Sequence, residues 1–170
     1  YVRVYHPSLG TAPADWLDSK GRPMECNRGT YLRCKYGILP RNAKKGGAYY
    51  IGWKNLALDS QRMFADVHWF PSVAGEVFQK LWIFYMMQRS RLACGHPFAF
   101  VTETGTPYGY DAFKAQFKTA VERIGLDHAK HFGTTPHGLR HAYGRDLTNA
   151  GVDPLIRKKA LHHKSITSQL

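Results

Sequence analysis

The segment TTPHGLRHAYGRDLTNAG, Thr134 to Gly151, sets His137, Arg140 and His141 close together in the chain. On a helix, residues three and four apart share a face, so His137 and Arg140 would act on the same target. The segment is either a basic helix face that happens to be rich in histidine or a site built to hold a phosphate. A guanidinium forks onto two non-bridging oxygens and stays charged at any working pH, and an imidazole gains or loses a proton near neutrality. His137 and His141 also have the four-residue spacing of a zinc pair. The sequence offers no HExxH, no nearby acid at ligand spacing and no cysteine there, so no metal site is expected. His141 is read instead as a packed or hydrogen-bonded histidine behind the site.

Two helices must position these groups. Thr135 precedes Pro136, which suits a first helical position, and Gly151 ends the segment in a left-handed turn after Ala150. Leu139, Ala142, Tyr143, Leu147 and Ala150 recur at three- and four-residue steps as a buried stripe, with His137, Arg140, His141 and Gly144 on the adjoining face. A second helix has Asp153 as N-cap and Pro154 at its first position; it turns Arg157, Lys158 and Lys159 outward and ends at Leu161-His162-His163. Upstream, PSVAGEVFQKLWIFYMMQRSRLA predicts a helix with Ser72 as N-cap and a stripe of Val77, Leu81, Phe84 and Tyr85. HPFAFVTETGTPYGYDAFKAQFKTAVERIGL predicts a strand around Phe98 to Val101, a Gly-Thr-Pro turn, and a helix from Tyr110 to Ile124. KKGGAYYIGW, Lys44 to Trp53, has the form of a Gly-Gly turn entering the second strand of a β-hairpin. Residues 1–46, including TYLRCKYGIL, hold no helical period beyond two turns. Trp69, Trp82, Phe84 and Tyr85 are assigned to the core, and His128 and His131 to loops.

Composition narrows the partner. The 170 residues, 44% hydrophobic, suffice for one ordinary core, so a single domain over 1–170 is expected, with 47–170 as its defined part. Lys and Arg number 24 against 12 Asp and Glu, a formal net charge of +12, which calls for a polyanionic partner or a strongly solvated surface, with nucleic acid as the first candidate. With no apolar run of membrane-spanning length and no charged-then-apolar leader, a soluble cytoplasmic protein without membrane contact is expected. Cys26, Cys34 and Cys94 are odd in number and lack CxxC spacing, so they are read as reduced, buried thiols. The chain opens at Tyr1 without an initiator Met and stops within SITSQL, and so it is expected to be a fragment.

The string PHGLRHAY, a Gly-terminated helix, and a second helix ending in ALHHKSITSQL together resemble the C-terminal part of the tyrosine recombinase catalytic domain, the phage integrase family. The resemblance covers roughly Lys44 to Leu170 and is strongest from Pro136 onward. It implies an α+β, mostly helical core of integrase type with a small antiparallel sheet or hairpin. It also implies DNA breakage and rejoining through a 3′-phosphotyrosyl intermediate, with no cofactor and with subunits assembling as a homo-oligomer on double-stranded DNA. Carried over by motif, His137 and Arg140 match the family's histidine and second arginine, and His163 the histidine of its next motif. Lys44 or Lys45 stands where the family has its hairpin lysine, with Lys44 favoured by its distance to the following strand. Arg157, Lys158 and Lys159 would contact the DNA backbone. His162 stands where the family commonly has Gly. The family's nucleophilic tyrosine would fall just past Leu170 and its first arginine before Tyr1, so these 170 residues alone are expected not to cut DNA. The alternatives are a non-cleaving DNA-binding module of the same fold and a metal-dependent nuclease.

Overall fold

The computed structural model describes residues 2–43, 45–47, 49–53 and 56–163. Among them the chain is mixed and mostly helical, with five helices and a two-stranded antiparallel sheet. It divides into two compact units, Tyr1–Val67 with Ala93–Pro107, and His68–Leu92 with Tyr108–Leu170. No described helix is long and apolar enough to cross a membrane.

In the first unit, β1 (Arg3–Tyr5) pairs antiparallel with β2 (Phe64–Asp66). Three residues a side make a weak ladder, and side chains reinforce it. Arg3 Nε bonds Asp66 at 3.1 Å, and its guanidinium lies 4.4 Å over the Phe64 ring. Between the strands in sequence runs α1 (Arg28–Tyr36), which buries Tyr31 and Leu32. Its sequence period is masked because Arg28, Arg33 and Lys35 interrupt the apolar positions. Its ends are nevertheless well specified, by the Asn27 side chain accepting from the Thr30 N–H at 2.9 Å and by Gly37 at φ 66°.

The hairpin expected around Lys44 to Trp53 is absent from the described residues there, and Lys44 itself lies outside them. The backbone groups of this stretch are satisfied by turns instead. Tyr50 N–H donates to Gly47 at 2.8 Å, Ile51 N–H to Arg41 at 3.1 Å, and the Arg41 side chain to the Tyr49 carbonyl at 2.8 Å. A ladder would have needed those same groups. The strand expected at Phe98 to Val101 likewise reduces to one bridge between Val101 and Pro107. The thiols are free but not buried: Cys34 is exposed, and Cys26 and Cys94 are half-buried.

In the second unit, α2 (Val73–Arg89) departs from its expected stripe by one residue. Val77, Leu81 and Phe84 are 52%, 63% and 65% exposed, while Phe78, Trp82 and Tyr85 face inward as half-buried side chains. Trp69 closes on Gly75, where a Cβ would stand 3.0 Å from the ring, tight enough that the ring would have to shift. From Trp69 an aromatic column follows through Phe78 at 4.9 Å, Trp82 at 5.9 Å and Tyr85 at 5.9 Å, and it sets which face turns in. Ser72 precedes the helix but makes no capping bond with its side chain.

The helices α3 (Tyr110–Arg123), α4 (Pro136–Asn149) and α5 (Pro154–Ala160) end in the same motif. In each, two N–H groups fold back onto the last carbonyls: Gly125 to Glu122 and Leu126 to Val121, Gly151 to Thr148 and Val152 to Leu147, His162 to Lys159 and His163 to Lys158. The turning residue has φ 79° at Gly125, 69° at Gly151 and 54° at His162. Only the last carries a side chain against the left-handed penalty. The start of α4 is equally constrained. Thr135 caps it through Gly138 N–H at 3.1 Å, and a methyl on Gly138 would overlap the Gly133 carbonyl.

Two stability tests follow. Gly138→Ala should destabilise by about 1–3 kcal/mol through forced movement of the Gly133 backbone. Gly144→Ala, whose Cβ would meet Leu161 at an ordinary 3.5 Å, should stabilise by about 0.5–1 kcal/mol through helix propensity. Urea denaturation separates the pair, and equal effects would contradict the packing. His162→Gly should raise stability by about 1 kcal/mol by relieving the left-handed strain, and a loss in the same assay would contradict that account.

Candidate functional site

The site is built on α4 and α5, which contact one another in the second unit. Pro136 and Thr135 start α4 at a fixed point, so positions 137, 140 and 141 fall on one side of it. From this side Arg140 reaches across to α5, where its Nη2 donates to the carbonyl of Leu161. That carbonyl belongs to the turn closing α5. Leu161 itself is buried, with its side chain beside Gly144.

The same turn delivers His163 to Arg140. Burial first, and the Arg140 charge second, hold the His163 imidazole below its ordinary value of 6.5, so the ring is neutral at neutral pH. Its Nδ1 is buried with no hydrogen-bond partner among the described residues. A neutral imidazole next to a fixed guanidinium can offer an N–H or a lone pair without adding charge.

His137 is exposed and pairs with His141, Nε2 to Nε2 at 2.9 Å, with the rings nearly perpendicular at 80°. His141 is therefore hydrogen-bonded, as one sequence reading allowed, but exposed rather than packed. Leu139 also departs from expectation. It is 56% exposed, because the inward side of α4 is held by Leu147, which is buried, and by Tyr143. Ala150 is exposed as well, having passed into the turn. Tyr143 donates its hydroxyl to the His68 carbonyl at 3.0 Å, and burial raises its pKa. A phenol so tied and so hard to ionise is an anchor for the helix.

Of the basic run on α5, Lys159 is exposed and Lys158 half-buried. Arg157 does not point outward as expected. It turns back so that Nη1 donates to Thr148 on α4, and its Nε is buried without a partner among the described residues. The short α5 has one turn of contact with α4, and Arg157 lies on that contact. Lys45 is exposed in a turn of the first unit, and Lys44 lies outside the described residues. His128 and His131 are in loops, as expected.

Sequence reasoning missed three contributors. The Leu161 carbonyl carries no side-chain signal. His162 stands in the sequence only as a departure from glycine, and its φ of 54° shows that backbone handedness favours glycine there. Thr134 pins the loop before α4, its hydroxyl donating to Asp127 and accepting from the Ala129 N–H at 2.9 Å. The sequence signal for it was the doubled Thr ahead of Pro136.

No group of three or more His, Cys, Asp or Glu among the described residues is placed to hold a metal ion. No curated protein and no solved structure matches the chain. A model of the phage integrase family matches residues 80–169, which is more than half of the chain and takes in α3, α4, α5, His137, Arg140 and His163. On that match, the chain belongs to the phage integrase family.

Proposed function

We propose that this chain is the catalytic portion of a site-specific tyrosine recombinase, an integrase-type core that breaks and rejoins DNA through a 3′-phosphotyrosyl intermediate. The observation that carries the proposal is the family match over residues 80–169, because it spans both helices that bear the candidate residues. Arg140 binds the non-bridging oxygens as negative charge builds on them. One of its N–H groups is spent on Leu161, and a guanidinium has five. His137 accepts a proton or donates to the phosphate, and neutral His163 supplies a second hydrogen bond. Lys44 or Lys45 protonates the leaving 5′ oxygen. Lys158 and Lys159 hold the DNA backbone without reading sequence, with Arg157 in support through Thr148. The bond energy stays in the covalent intermediate, so rejoining requires neither ATP nor a metal. The protein works as a homo-oligomer on double-stranded DNA in the cytoplasm.

The full-length protein, given a nicked suicide duplex in EDTA, is expected to form a covalent DNA adduct. Arg140→Lys should slow adduct formation by roughly 10²-fold, since a point charge replaces the fork. Duplex binding without an adduct would favour the non-cleaving module, and cleavage abolished by EDTA would favour a metal-dependent nuclease.

His163 provides a pH test. Its folded value lies below 6.5, so between the two values the unfolded chain carries more protons. The stability it contributes is complete above about 6.5 and declines as the pH falls through the folded midpoint. Ring resonances followed by NMR should titrate below 6.5, and Arg140→Gln should move the midpoint partway back, with burial retaining the rest. A wild-type midpoint at or above 6.5 would contradict the Arg140 contact.

A further inference from the structure

The His137–His141 pair has a geometry that the proposed phosphate chemistry leaves unexplained. The two Nε2 atoms stand 2.9 Å apart, with ring centroids 4.4 Å apart, and both side chains are exposed. Nitrogens at that separation are bridged either by one proton, with one ring donating and the other accepting, or by an ion held by both lone pairs. Metal–imidazole bonds of ~2.0–2.1 Å set at a right angle separate the two nitrogens by roughly 2.9 Å, and at the tetrahedral angle by roughly 3.3 Å. The observed spacing is that of a hydrogen bond and is close to both separations, so a small rotation of the two exposed rings would let both lone pairs converge on one divalent transition ion. The backbone supporting the pair is fixed by the Thr135 cap and by Pro136. The nearest arginines of the helix are engaged elsewhere, Arg140 with Leu161 and Arg145 with Asp146 at 3.6 Å.

We propose that His137 and His141 form a two-histidine chelate for a divalent transition ion, and that an ion held there inhibits the phosphate site by occupying His137. With no third protein ligand among the described residues, the other positions on the ion go to water, so the site is exchangeable and is not a cofactor site. The inhibition rests on the role given to His137 above; the chelate rests on the geometry alone.

Titration calorimetry of the chain with Ni²⁺ tests the chelate. One equivalent should bind, and His137→Ala and His141→Ala should each weaken it at least about tenfold, whereas the loop substitution His128→Ala should not. Affinity unchanged in His141→Ala would overturn the proposal. Circular dichroism of each variant guards against misfolding. In the second arm, Ni²⁺ should slow adduct formation by the wild-type full-length protein and leave the rate of His141→Ala unaltered, whatever that variant's own rate. Binding of Ni²⁺ without slowing would overturn the inhibition. Failure of the wild type to form an adduct even without Ni²⁺ would count against the recombinase reading and leave the chelate to the titration.

Discussion

In the helical unit α4 and α5 are tied by two charged hydrogen bonds, and the one on which the candidate site turns runs from the Arg140 guanidinium to the Leu161 carbonyl. The end of a helix leaves carbonyls without intrahelical donors. On α5 the closing turn satisfies those of Lys158 and Lys159, and Arg140 takes the Leu161 carbonyl that follows. A bond of this type contributes about 1.5–3 kcal/mol net. Together with the Arg157–Thr148 bond and the Leu161 side chain beside Gly144, it holds to α4 a helix of only seven residues, none of them buried. Replacing the arginine would therefore loosen the scaffold as well as remove a charge.

Burial of the turn sets the electrostatics first, and the permanent charge of Arg140 adds to it, so that the His163 imidazole is neutral where an isolated histidine would be partly charged. In the first unit Arg28 meets a different constraint. It lies 4.3 Å over the Tyr5 ring, its buried Nε has no hydrogen-bond partner among the described residues, and desolvation lowers its pKa. One arginine is held by a carbonyl acceptor and the other by an aromatic face. In a chain of net charge +12 with few acidic residues, both solutions hold a cation without a carboxylate.

What was legible in the sequence were the features written by single residues. Thr135-Pro136, Asp153-Pro154 and Gly151 fix helix ends through bonds to their own backbone neighbourhood, and all three stand where expected. The stripes and the hairpin that failed depend on contacts made from outside the element that carries the pattern. Period alone placed Val77, Leu81 and Phe84 inward, but Trp69 reaching Gly75 rotated the choice to Phe78 and Trp82. Leu139 fits the stripe on α4 and is still exposed, because the tie to His68 is made by Tyr143. The stretch at residues 45–53 has strand-forming composition, yet Arg41 takes the Tyr49 carbonyl that a ladder would have used. Within the candidate site, the residue types on α4 were readable, while the acceptor that orients Arg140 is a backbone atom and has no letter in the sequence.

Gly133 and Gly138 answer to two different constraints in one turn. Gly133 holds φ 71° and aims its carbonyl at the start of α4, where Gly138 leaves the space that the carbonyl enters. A side chain at 138 would meet that carbonyl and move the helix start, and with it the angle at which His137 and Arg140 emerge. A side chain at 133 would meet open space and be opposed by the left-handed backbone alone, so the aim of the two candidate side chains is governed by a residue that has none.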